Sequence, residues 1–190
     1  MSKAWPVSSI RPEESLAENA RRILRVRAAE YYSYEPIVDH EQAIEPLHNL
    51  RIAAKRLRYT LELFRPVFRE AGEANIERVK AIQEELGNIH DADVRIVLIQ
   101  EELVVLCSEQ IAEISNALSM VPPASHRAIT TSALRPPPDD PRRGLLSLLG
   151  RQLEERHAYF LQFNEHWHRF EQEGMRAGLV ALSSLESQDS

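Results

Sequence analysis

The chain has a single cysteine, Cys107, so no disulfide can form within it. Cys107 closes the apolar run Leu103-Val104-Val105-Leu106-Cys107, and the expectation is a buried, inert thiol in a reducing compartment. Long hydrophobic runs are missing as well. No stretch approaches the ~20 apolar residues of a membrane span, and the N-terminus shows no signal-peptide core. The expected setting is therefore the cytoplasm, without a membrane partner. Six glycines and few β-branched runs leave little material for sheet. The sequence has no glycine-rich phosphate loop, no nucleophile elbow and no paired-carboxylate signature, so catalysis has no evident seat. Nor is there a positive excess: the formal charge of −6 argues against a general nucleic-acid binder, and no specific nucleic acid is expected as a partner.

What is present reads as helix. The 190 residues suit one domain with a genuine core. Residues 1–14, with Pro6 and Pro12, form a flexible lead-in. Ser15 and Glu18 have the spacing of a capping box and open a helix whose apolar side is Leu16, Ala20, Ile23 or Leu24, and Val26. Arg21, Arg22 and Arg25 cluster on the same helix, as a solvated face or as one wall of a site. Pro36 ends it. A second helix follows Asp39-His40-Glu41 and should run to about Arg69, with Pro66 disturbing its last turn and Gly72 closing it. A third spans Glu73 to Leu86 with Gly87 as its C′ residue. Asn88 or Asp91 then caps a fourth, unless Gly87 is merely a kink.

Residues 119–141 carry six prolines and no apolar periodicity, a long connection inside the domain. Asp140 caps a last helix with Pro141 in its first turn, bearing Leu145, Leu149, Leu153, Phe160, Phe163, Trp167 and Phe170 as core or as a self-association band. Residues 184–190 are a polar tail. The fold class is all-α, an antiparallel bundle of about four to five helices over residues 15–183.

The stretch Leu47–Tyr59 stands out. At 100° per residue, Leu50, Ala54, Leu57, Leu61 and Phe64 gather as a packing face. His48, Arg51, Lys55 and Arg58 form a second stripe about 15 Å long. Glu62 offers Arg58 an i,i+4 ion pair, but residues 48–58 contain no acid, whereas a solvated face mixes signs. Guanidinium forks and a lysine suit phosphate oxygens. His48 adds a donor that the neighbouring cations keep neutral and a bound anion would protonate. It has no second histidine or carboxylate at i+3 or i+4 with which to hold a metal. His90-Asp91-Ala92-Asp93 reads as a helix cap rather than a metal site, and His166 and His168, two apart, diverge. No metal or cofactor is expected.

The run His48-Asn-Leu-Arg51-Ile-Ala-Ala-Lys55-Arg56-Leu-Arg58-Tyr59-Thr-Leu61-Glu62 resembles the signature of the CHAD family, the conserved-histidine α-helical domain. Val79-Lys80-Ala-Ile82-Gln83-Glu-Glu-Leu86-Gly87-Asn-Ile-His-Asp91-Ala92-Asp93-Val94 resembles that family's second block. The resemblance implies a helical domain that binds inorganic polyphosphate through a basic channel and has no catalytic activity of its own. It makes His48, Arg51, Lys55 and Arg58 ligand contacts, adds Lys80 and Arg56, and extends more weakly to Arg22 and Arg25. A full CHAD domain carries two four-helix repeats, and this chain has one copy of the signature. That departure leads to the expectation of a half-unit completed by homodimerisation, cytoplasmic and associated with polyphosphate granules. Two other readings remain: a histidine phosphotransfer domain with His48 as phosphoacceptor, although Ile52 stands where that family wants glycine, and a metal-dependent polyphosphatase or triphosphatase using Asp91 and Asp93. A plain helical interaction module is a third.

Overall fold

The computed structural model describes residues 3–133 and 139–184. Six α-helices account for its regular structure, apart from two short 3-10 turns at Glu35–Ile37 and Pro123–Ser125. The helices are α1 (Leu16–Tyr32), α2 (Ile44–Leu63), α3 (Arg65–Ser119), α4 (His126–Ala133), α5 (Pro141–Gln172) and α6 (Met175–Ser184). No strand occurs among the described residues. The all-α expectation holds. The polar tail beyond Ser184 and residues 134–138 of the proline-rich connection lie outside the described residues.

Helix starts follow local chemistry. Ser15 and Glu18 close the capping box on α1. The Asp140 carboxylate accepts the Arg142 backbone N–H at 2.9 Å, capping α5 ahead of Pro141. Residues of the lead-in are tied to α1: Asn19 exchanges hydrogen bonds with the backbone of Arg11, and Arg22 pairs with Glu14.

The end expected near Arg69 is found, whereas the two glycine breaks expected at Gly72 and Gly87 are not. Regular helix is disturbed just ahead of Pro66, with α2 ending at Leu63, and Gly72 lies inside α3. The reversal falls on Arg69, which adopts φ 50° and ψ −146°, a backbone region that disfavours any side chain. Gly87 is neither an end nor a kink, because Arg69 is the single non-helical residue recorded within α3. A mid-helix glycine costs only about 1 kcal/mol relative to alanine, which packing of a long helix readily offsets. Asn88 and Asp91 therefore cap nothing. Gly174, at φ 82°, separates α5 from α6.

The chain divides into two compact units, Met1–Asp91 with His157–Ser190, and Ala92–Arg156. In the first, α2 buries Leu50, Ala54, Leu57 and Leu61 of the face predicted by periodicity, together with Leu47 and Ala53, while Phe64 of that face is partly buried. Each of the four leucines contributes about 2 kcal/mol by leaving water. Against them pack Ala20, Leu24 and Tyr31 of α1, Val79, Ile82, Leu86 and Ile89 of α3, and Phe163 and Trp167 of α5. The aromatic band of α5 is thus core here, with Trp167 5.0 Å from the Tyr31 ring. Within this unit Glu30, 1% exposed, is held by Arg27 and Arg56 at 2.5 Å each.

In the second unit the later part of α3 runs against the first part of α5. Three pairs fix an antiparallel arrangement: Asp93 with Arg156, Arg95 with Gln152, and Gln110 with Arg142. Cys107 is exposed on this hairpin, contrary to the expectation of burial. Val104 and Val105 are exposed with it, while Leu103 and Leu106 are half-buried.

Candidate functional site

The reversal at Arg69 brings the two sequence blocks together. His48 and His90 stand equally far from Arg69, twenty-one residues to either side, and their Nδ1 atoms meet at 3.1 Å. The ring centroids are 4.3 Å apart, tilted by 42°. Arg51, Lys55 and Arg58 stand at the same sequence distances before Arg69 as Gly87, Gln83 and Lys80 stand after it. Of the three α3 positions, the family resemblance makes Lys80 alone a ligand contact. His90 was weighed only with its neighbours in sequence, and nothing local in that sequence points to a partner on another helix.

Among the described residues, no carboxylate stands within ion-pair distance of Arg51 or Lys55, and the buried Nε of Arg51 has no hydrogen-bond partner. A buried donor left in that state costs about 1–3 kcal/mol, a cost that an anionic ligand would remove. On α3 the buried Oε1 of Gln83 is likewise without a partner. A Cβ built on Gly87 would meet nothing within 4 Å. Space is open where a ligand would lie.

Lys55 and Arg58 flank Tyr59, whose ring lies 5.7 Å from Nζ of the first and 5.0 Å from Cζ of the second. Arg58 is also 3.6 Å from Glu62, a loose surface pair worth under about 1 kcal/mol. Burial, then the adjoining His90 and the charge of Arg51, hold the His48 imidazole below its usual range near 6.5. His48 is thus kept neutral until something anionic arrives.

The remaining predicted contacts are already engaged. Arg56 pairs with buried Glu30, Arg22 with Glu14, and Arg25 donates to the Ser183 carbonyl at 3.1 Å, at the C-terminal end of α6, where a cation is favoured. Lys80 lies 4.0 Å from Glu77 and stays partly exposed. The second wall expected from the arginines of α1 is not assembled by these bonds. His166 and His168 diverge as predicted, to Glu85 and to Asp39. Asp93 serves Arg156 in the second unit, a tertiary role in place of the expected cap. Among the described residues no three His, Cys, Asp or Glu side chains are grouped to hold a metal ion.

A protein-family model described as CHAD domain matches residues 3–100. That span includes α1, α2, the turn at Arg69 and the α3 segment that carries His90. Neither the curated proteins nor the solved structures yield a match.

Proposed function

Because the chain belongs to the CHAD domain family, we propose that it binds inorganic polyphosphate, without turning it over, along the facing stripes of α2 and α3. His48, Arg51, Lys55 and Arg58 supply one edge. His90, Gln83 and Lys80 lie along the other. The observation that carries the reading is Arg51, whose buried Nε lacks an acceptor midway along a run of donors that contains no acid. Guanidinium and ammonium groups take a linear phosphate polymer through successive charge-assisted bonds. Arg22, Arg25 and Arg56 are assigned to the fold, through Glu14, Ser183 and Glu30. The ligand would be met in the cytoplasm, and a second chain is a further source of phosphate contacts.

Phosphotransfer is the weaker reading. Arg51 and Lys55 would have no task in it, and Ile52 stands where that family has glycine. A metal-dependent hydrolase would lean on Asp93, which Arg156 holds.

Titration with polyphosphates of defined length tests the proposal. The Arg51→Glu, Lys55→Glu variant should lose at least about 100-fold in affinity, at roughly 1.5–3 kcal/mol per charged hydrogen bond. The wild-type affinity should fall steeply with salt as condensed counterions are released. Equal affinity in the two proteins would remove the proposal. Steady release of phosphate with Mg²⁺ would favour the hydrolase instead.

A further inference from the structure

The second compact unit carries a surface that the polyphosphate reading does not use. On the α3 side of the hairpin, Ile96 and Ile99 are buried. At 100° per residue, Val97, Val104 and Ile111, seven residues apart, form a row along one flank of them, with Leu98 and Val105 on the far side. All five are between 49% and 65% exposed. Seven-residue spacing of apolar side chains is the pattern of a helix that lies along another helix. The facing helix of the hairpin, α5, has its own exposed pair at the same interval, Leu146 and Leu153. Gly150 lies between them, with open space where a Cβ would stand, which permits close approach.

Charge says what covers this surface. Residues 94–119 carry Glu101, Glu102, Glu109 and Glu113 against one base, Arg95; residues 141–156 carry Arg142, Arg143, Arg151 and Arg156 against Glu154 and Glu155. Laying α3 on α3 of a second molecule sets acid on acid, and α5 on α5 sets base on base. Laying α3 of each molecule on α5 of the other satisfies both, twice, about a two-fold axis. The seven side chains expose on the order of 650 Å² of apolar surface per chain, so a pair clears the ~1,000 Å² total of a specific interface.

We infer that the hairpin of residues 92–156 is a self-association arm, pairing two copies of this chain through reciprocal contacts of acidic, apolar α3 with basic, apolar α5. The pairing stands apart from polyphosphate binding and is measured without ligand. Sedimentation equilibrium should find wild-type dimers at about 10 µM. The Val97→Glu, Val104→Glu variant should dissociate at least about 100-fold more readily, with unchanged helical circular dichroism, since both positions are exposed. Charge reversal gives a second arm that does not depend on that variant folding. Arg143→Glu, Arg151→Glu alone and Glu102→Arg, Glu109→Arg alone should each weaken the dimer, and mixing the two variant proteins should restore it at the pair of contacts they share. A wild-type chain that is monomeric at about 100 µM overturns the inference, as do charge variants that dimerise as the wild type does or a mixture that shows no recovery.

Discussion

Polyphosphate binding should be coupled to proton uptake at His48, and the geometry limits how strongly. In the free protein, burial, His90 and Arg51 hold its imidazole below the ordinary value near 6.5. A phosphate chain laid across Arg51 reverses the local potential and raises it. A unit charge about 4 Å away is worth roughly 4 kcal/mol at an effective dielectric constant near 20, before screening by salt. Each unit of difference between free and bound pKa contributes about 1.4 kcal/mol, or tenfold in affinity. The contact partner sets the upper bound. With Nδ1 facing Nδ1 at 3.1 Å, one shared proton makes a hydrogen bond, and a second would oppose two N–H groups. The pair should therefore take up about one proton, and the slope of log K against pH should lie between zero and about −1.

Affinity should rise ten- to a hundredfold or so from pH 8 to pH 5.5 at fixed ionic strength, and the rise should vanish in His48→Gln. Isothermal titration in buffers of different ionisation heat counts the proton directly. The free protein should behave in the opposite sense. Its depressed imidazole binds a proton less readily than the unfolded chain does, so its contribution to stability is lost as pH falls through about 6.5. Melting temperature should thus drop on acidification without polyphosphate and hold or rise with it. A flat affinity across this range, or an unchanged slope in His48→Gln, refutes the coupling; a slope near two refutes the shared-proton geometry.

Two other expectations concern the fold around the site. Glu30→Ala leaves Arg27 and Arg56 without their common buried partner and should cost about 3 kcal/mol, read as a lower midpoint in urea, while any residual folded protein keeps its polyphosphate affinity. Gly87→Ala should stabilise by about 0.5–1 kcal/mol, since the helix prefers alanine and the added Cβ meets nothing; Gly87→Phe should keep the melting temperature and lower polyphosphate affinity, and retention of full affinity would show that the space at Gly87 is not used.

Features governed by near neighbours were legible before the structure. The cap at Ser15, the start at Asp140-Pro141 and the buried face from Leu50 to Leu61 each depend on residues within a turn or two. Gly87 misled because helix propensity is a weak term beside the packing of Val79, Ile82, Leu86 and Ile89. Pro66 signalled an end near Arg69, but not its backbone angles, since the residue expected there is glycine. Cys107 was misplaced because an apolar run marks burial only when a second layer covers it. The stripe on α2 was visible as chemistry. Its facing residues were not, because His90 joins His48 only through the fold, forty-two residues away.

The turn at Arg69 has a consequence for how the sequence can vary. The helical arms on either side of this pivot behave as a ruler: the chemistry at their far ends meets only while their lengths stay matched. One residue gained or lost within α2 after His48, or between Arg69 and His90, turns one arm by about 100° and slides it by about 1.5 Å. Basic residues then swing toward the interior while leucines emerge. A similar change before Pro36 or beyond Gly174 leaves the two arms in step. The forty-odd residues between the histidines are therefore the segment least tolerant of insertion, although neither their composition nor their charge says so.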